Sequence, residues 1–308
     1  MLVAWLLRLH RWIALMFALP LVFVLGTGLI LSFEPWLVTG SIQPGSLTVA
    51  KIEALLAKHD PQGRARSLAH RPYDGTLTLS AGRGGGTVID IATGETRPGP
   101  STLASVLQTS RRMHETLLLD ARWLVVSSSI VMLVLATFGI LMGLPRIDRT
   151  LSGWHKGMAW GLLPLIVLSP ATSLLMWFGV TFTGGAPRAP QGGELTLQQA
   201  VRIVGDRHDL STLVSIRQVR GRLTARLVEG GEYRVYGVTA DGTTAAARNW
   251  PRLWHEGNFA GAWSSLMNAV LSLAMIGLLV TGPLIWLRRQ VLLRRRRQTG
   301  SLSASPAE

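Results

Sequence analysis

Four histidines stand where long apolar stretches begin: His10, His114, His155 and His255. Imidazole is the side chain that ligates transition metals most often, and it titrates near neutral pH. An imidazole at the edge of an apolar run either reaches water as an anchor or has a chemical role. The chain has no cysteine. That excludes disulfides, iron–sulfur clusters, thiolate zinc sites and covalent C-x-x-C-H haem attachment together. Any metal chemistry has to use histidine, carboxylate, methionine or tyrosine.

The elements that must position these rings are apolar spans. Hydrophobic residues make up 48% of the 308 and charged residues 16%, a balance suited to a membrane protein. Crossing a bilayer takes about 20 apolar residues. Four stretches qualify: Trp12–Phe33, Trp123–Pro145, Gly157–Gly179 and Ala262–Leu287. Trp12, Trp36, Trp123, Trp263 and Trp286 mark their ends, as interfacial aromatics do. The first stretch is too long for a cleavable signal, and "SFEPW" follows it instead of a small-residue cleavage site. Arg8 and Arg11 precede it, Arg146, Arg149 and Lys156 lie between spans two and three, and Arg288, Arg289 and Arg294–Arg297 follow span four. Basic short segments face the cytoplasm, which predicts both termini and the short link inside and the two long polar regions outside. The net charge of +14 is thus read as a topology signal and an attraction to anionic lipid, with no nucleic-acid partner.

That topology sorts the four histidines into pairs. Spans one and three begin inside, so His10 and His155 share one side; spans two and four begin outside, so His114 and His255 share the other. Two histidines are too few for zinc or copper, which take three or four ligands, but they fill the two axial positions of haem. Without cysteine that haem is b-type, two copies, one near each face. Arg8, Arg11 and Lys156 near the inner pair, and Arg111, Arg112 and Arg252 near the outer pair, suit haem propionates. The plainer alternatives stand beside this: histidines as interfacial anchors and arginines as interfacial charges. Glu115 and Glu256 follow the outer histidines and either orient a ring or meet substrate.

The two polar regions resemble each other. "LTVAKIEALLAKHDPQG" (47–63) and "LTLQQAVRIVGDRHDLS" (195–211) read as amphipathic helices. Alternating strands follow each, in 75–80 and 86–95 and in 214–228 and 231–242, with "ATGE" and "TADG" as turns. The spans repeat too: "LHRWIAL" answers "WHKGMAW", "MHETLLL" answers "WHEGNFA", and Thr27 and Thr172 each lie 17 residues after His10 and His155. Each half reads as span, outer region, span. The shared spacing His155-x-Gly157-x-x-x-Gly161 and His255-x-Gly257-x-x-x-Gly261 predicts helix-packing glycines. His59, His70 and His208 read as surface residues of the polar regions.

These segments, with "GTGLILSFEPW", "ATFGILMGLPR" and "LVTGPLIWLRR", resemble the PepSY-associated transmembrane family, and within it the inner-membrane ferric-siderophore reductases. Span three departs from the family's Thr-Gly signature with "SPATSLL". The resemblance implies an α-helical membrane protein, a four-helix transmembrane bundle with two α+β PepSY-like periplasmic domains and an internal two-fold repeat. Its parts are transmembrane helix 1 (1–36), a first domain (37–110), helix 2 (111–145), a cytoplasmic link (146–156), helix 3 (157–183), a second domain (184–250), helix 4 (251–289) and a basic tail (290–308). It implies a di-haem protein of the bacterial inner membrane, with His10, His114, His155 and His255 as iron ligands, that passes electrons to a periplasmic ferric siderophore or similar chelate. The cytoplasmic segments are too short for a nucleotide fold, so the donor is another protein, a quinol or a small reductant. Read as helix rise, the thirty residues from His114 to Leu144 place about 45 Å between the two faces, a long gap for electron transfer. The rival is a PepSY binding or regulatory module on a four-span anchor, without cofactor; a transporter is weaker, since no span carries a buried acid.

Overall fold

The computed structural model describes the chain except residues 83–84, 118–119, 145–147, 184–194, 220 and 303–308, and the side chains of 219 and 296–302. Arg146 of the link and Arg296 and Arg297 of the tail fall among those exceptions. The described residues form two compact units. A helical unit contains Met1–Leu29, Arg112–Trp177 and the chain from Ala269 onward; a sheet unit contains Ile30–Arg111 and Phe178–Asn268.

In the sheet unit the two polar regions, expected as separate domains, are joined. Strands β1 (Ser67–Arg71), β2 (Thr76–Ser80), β3 (Thr87–Asp90) and β4 (Thr96–Arg97) come from the first; β5 (Leu213–Val219), β6 (Arg222–Glu229), β7 (Glu232–Thr239) and β8 (Gly242–Ala245) come from the second. They make one antiparallel sheet in the order β4-β3-β2-β1-β5-β6-β7-β8. The seam is β1 on β5, with Ser67 opposite Arg217, Leu68 opposite Ile216 and Ala69 opposite Ser215. Pairing these two edges removes the exposed backbone donors and acceptors that each half-sheet would otherwise present. The β6–β7 hairpin turns on Gly230 and Gly231, at φ 57° and 78°, the left-handed conformations that a tight hairpin needs.

One face of this sheet carries the core. Leu68, Leu77, Ile89, Ile216, Ala225 and Leu227 alternate toward helices α4 (Val49–His59) and α9 (Leu197–Gly205). Those helices bury Ile52, Val201 and Val204 completely. Each begins at a threonine whose hydroxyl accepts an N–H of the first turn, Thr48 from Lys51 and Thr196 from Gln199, the latter closed into a capping box. His70, read from sequence as a surface residue, is buried on β1, and its Nδ1 lies 2.9 Å from the Leu213 carbonyl across the seam. The strand escapes a sequence reading because "SLAHR" hides the alternation behind a histidine and an alanine.

In the helical unit the apolar elements are α1 (Leu2–Met16), α2 (Ala18–Leu31), α6 (Arg122–Leu141), α7 (Leu151–Gly161), α8 (Leu163–Trp177) and α11 (Ala262–Leu302). Three stretches are long and apolar enough to cross a membrane: Ala18–Gly40, which adds helix α3 (Glu34–Gly40) to α2, then Arg122–Leu141 and Ala262–Arg295. The fourth is a bent pair, α7 and α8, at 62° to each other. The sequence presents span three as one continuous stretch. Pro164 breaks it, because proline has no N–H to donate and its ring collides with the carbonyl four residues back. Pro20 stands in a similar relation to the interruption at Phe17 between α1 and α2. Leu25, Met132, Ala136, Leu162, Ile166, Leu271 and Met275, drawn from all four stretches, pack into one cluster.

The common core of the sheet unit has a direct consequence. Ile216 is fully buried at the seam, so Ile216→Ala should destabilise the sheet unit by about 2–5 kcal/mol. Both polar regions should lose structure in a single transition, followed by hydrogen exchange during thermal or denaturant unfolding. Separate transitions for 47–97 and 195–245 would contradict a shared core.

Candidate functional site

The four histidines sit on elements different from those expected. His114 is near the end of α5 (Thr102–Thr116), and His255 is near the end of the short helix α10 (Trp250–Glu256). Neither rides on the span that follows. Between α5 and α6 the chain turns through positive φ at Leu117 and Asp120, and after α10 it turns at Gly257 (φ 68°). His10 and His155 lie within α1 and α7, each ahead of a proline-linked break.

Within the helical unit, His114 is seated against α2. Its Nδ1 is 3.0 Å from the Val24 carbonyl and 3.3 Å from the Thr27 hydroxyl. A carbonyl only accepts, so the contact with Val24 requires the proton on Nδ1. In the neutral ring Nε2 is then the unprotonated nitrogen. Gly28 makes the space: a Cβ there would come 3.2 Å from the ring's Cε1. His155 is seated the same way against α11. Its Nδ1 is 2.7 Å from the Thr281 hydroxyl. A Thr281 hydroxyl that donates to the Gly277 carbonyl at 2.7 Å accepts from Nδ1–H of His155, the arrangement in which Nε2 is again the unprotonated nitrogen. Gly282 lies beside that ring, where a Cβ would stand 3.8 Å from Cε1. A Thr-Gly pair thus seats an imidazole twice, once in "GTG" and once in "VTGP". The Thr-Gly signature is visible in the sequence, but its task is not.

His10 is within Coulombic range of His155. Its Nδ1 is buried without a hydrogen-bond partner, although the Leu135 backbone faces the ring, and the neighbouring Arg11 Nε is buried and unpartnered too. The Arg11 nitrogen can only donate, so this orphan fits a group that supplies an acceptor. The Arg11 guanidinium lies 5.5 Å from the centre of the Trp12 ring. Arg8, Lys156 and Arg112 are exposed. Among the described residues, no three His, Cys, Asp or Glu side chains converge as a metal cluster, so the donor sets available are pairs.

The surroundings of His255 belong to the sheet unit. The Asn249 side chain caps α10 by accepting from the Arg252 N–H at 3.2 Å. The Asn268 amide donates to the His255 carbonyl at 2.9 Å, and a Cβ on Gly257 would strike that amide at 2.8 Å. Gly257 and Gly261 (φ 56°) therefore serve turns. The expected helix-packing role fails for them because α10 ends before it reaches them. Glu256 faces inward and joins Arg226 at 2.7 Å and Arg252 at 2.7 Å. Arg252, expected near a propionate, is thus already engaged by a carboxylate. Burial alone would raise the Glu256 carboxyl, but the two guanidinium groups override it and hold it at about 2. The expected separation of about 45 Å also changes. His114 is not on span two, so helix rise along that span does not measure it. The seat of His114 at Thr27 is 17 residues along from His10, at most about 25 Å of helix.

Apolar helices of membrane-crossing length, imidazoles seated among them and an antiparallel sheet unit define a membrane protein. The family model of the PepSY-associated TM region matches residues 7–289, and the chain belongs to that family. No curated protein matches it.

The Glu256 clamp has a sign that can be checked. Its folded carboxyl titrates below the unfolded value of 4.5, so its stabilisation is complete above that pH and is lost as pH falls toward about 2. Glu256→Gln should flatten the acid limb of the stability curve in that window. At neutral pH it should cost about 2 kcal/mol, the scale of charge-assisted hydrogen bonds. Denaturant titrations at several pH values would measure both; an unchanged acid limb would mean that the clamp is not formed.

Proposed function

We propose that the protein is a b-type di-haem reductase of a bacterial inner membrane, delivering electrons to a ferric siderophore or similar chelate in the periplasm. The observation that carries this reading is the shared seating of His114 and His155: each presents Nδ1 to an oxygen of a facing helix, so that Nε2 of the neutral ring would be the nitrogen to ligate iron, oriented by the other. His10 with His155 would hold one haem and His114 with His255 the other. Bound there, haem supplies reversible one-electron chemistry at iron. Four bundled spans built as a two-fold repeat, with both termini in the cytoplasm, would set the two sites at different depths.

The protein's own groups do the positioning. The carbonyl of Val24 and the hydroxyl of Thr281 hold the rings, Gly28 clears the edge of His114, and the apolar spans exclude water. Arg11 would neutralise a propionate at the inner site, with Arg8 and Lys156 near it; Arg112 would act near the outer site. Overall, a cytoplasmic donor (a protein, a quinol or a small reductant) loses one electron and Fe(III) in the chelate gains it. Fe(II), the softer and less charged ion, then leaves a hard-oxygen chelate more readily.

Purified wild type should be red, with a b-type pyridine haemochromogen spectrum and two haems per chain. His155→Ala and His255→Ala should each remove about half of the haem. Thr281→Val keeps the ligand and loses its orienting oxygen, and should weaken haem retention about tenfold or more. A colourless, folded protein would overturn the reading and leave the cofactor-free binding module in its place.

A further inference from the structure

The sheet has a second face, and arginine dominates it. Register settles which residues share that face. Ile216 points into the core, so Ser215 and Arg217 point away from it. Arg226 lies opposite Ser215, and Ala69 on β1 also lies opposite Ser215, which puts Arg226 and, two residues beyond Ala69, Arg71 on the same side. The charges of Arg226, Arg252, Arg111 and Arg71 all bear on Arg217. Register thus puts Arg71, Arg217 and Arg226 on one face across β1, β5 and β6, Glu256 ties Arg252 of α10 to Arg226, and Arg111 of α5 lies within electrostatic reach. The carboxylates among them are Glu34, paired with Arg111, and Glu256, shared by Arg226 and Arg252. Five positive groups less two negative ones leave an excess of three.

Arg71 donates to the Thr78 hydroxyl at 3.0 Å, and among the described residues neither Arg71 nor Arg217 forms a salt bridge. Arg217 lies at the seam and is exposed to solvent. Desolvation by its neighbours and the repulsion of four like charges both disfavour its charged form. The Arg226 guanidinium carbon lies over the Tyr233 ring, 4.5 Å from its centre, a cation–π contact that steadies its fork. Arg111 and Arg252 keep 43% and 51% of their side chains exposed, so the face is open to a ligand. A fold gains nothing from gathering like charges on a surface unless an anion comes to them. Guanidinium forks at fixed positions match carboxylates in a bidentate way.

We propose that this face, centred on Arg217 with Arg71 and Arg226, is the binding site of a small polyanion rich in carboxylates. Taking the cargo from the reading above, that anion is a negatively charged carboxylate-type ferric chelate, in preference to an uncharged hydroxamate. The selectivity is electrostatic: a neutral chelate offers nothing to the two unmatched arginines.

The test uses gallium(III), which copies the size and charge of Fe(III) and is not reduced. Gallium citrate and an uncharged gallium trihydroxamate are titrated by calorimetry into the full chain in neutral detergent. Gallium citrate should bind, with an affinity that falls as salt rises. Arg217→Gln should weaken it at least about tenfold, as for loss of a charge-assisted contact, and Arg217→Lys should recover part of the loss. The trihydroxamate should bind wild type and Arg217→Gln alike. Unliganded Arg217→Gln should melt no lower than wild type, because a repelled charge has been removed. Equal citrate binding by wild type and Arg217→Gln, or a lower melting point of the variant, overturns the proposal. So does loss of citrate binding in nanodiscs containing phosphatidylglycerol but not in phosphatidylcholine alone, which would assign the arginines to lipid headgroups. Because gallium binding is read without electron transfer, a colourless protein that binds citrate sinks the haem reading alone. A red protein that ignores citrate sinks this proposal alone.

Discussion

An imidazole among apolar helices must place its one N–H on an acceptor, and that constraint shapes the helical unit. In water either nitrogen can carry the proton at little cost. Away from water an unmet N–H costs on the order of a few kcal/mol, so the acceptor decides the tautomer. Val24 and Thr281 make that decision for His114 and His155. The Val24 carbonyl is reached by a residue 90 positions later in the chain, and Thr281 reaches one 126 positions earlier. Each contact therefore requires the spans to be packed before it can exist, and Gly28 keeps the surface of α2 low enough for the His114 ring to lie there.

The sheet unit answers a different constraint. Two short half-sheets, each with an open edge, merge through β1 and β5 and gain a core that neither has alone. The same merger stacks like charges: Arg217 comes from one region, Arg71 from the other, and strand pairing brings them to one face. Glu256 relieves part of that crowding and at the same time ties α10, which carries His255, to β6 through Arg226. Tyr233 adds a backbone tie, its N–H donating to the Asn258 carbonyl at 3.1 Å. Electrostatics of the sheet face and placement of a histidine are thus handled by the same few residues.

Much of this is legible along the chain. The amphipathic stretches at 47–63 and 195–211 become α4 and α9, and the alternation in 75–80 and 231–242 becomes β2 and β7. Periodicity is a local property, and side-chain spacing reports it directly. Pro20 and Pro164 are also there to be read, but which prolines break a helix is not, since Pro170 and Pro283 lie inside α8 and α11. Strand β1 is not legible, because a five-residue segment with a buried histidine has no clear alternation. Nor is the end of α10: a glycine in a helical spacing reads as a packing residue until its positive φ is known.

The sequence alone determined the membrane character, the absence of thiolate chemistry, the candidate rings and the family, because composition, apolar run length and motif order need no third dimension. The tertiary structure decided which nitrogen of two rings faces a protein oxygen, that the two polar regions share one sheet, and that Arg71, Arg217 and Arg226 share the face of that sheet away from its core. Those depend on contacts between residues tens to hundreds of positions apart, and such contacts are fixed only when the chain closes on itself.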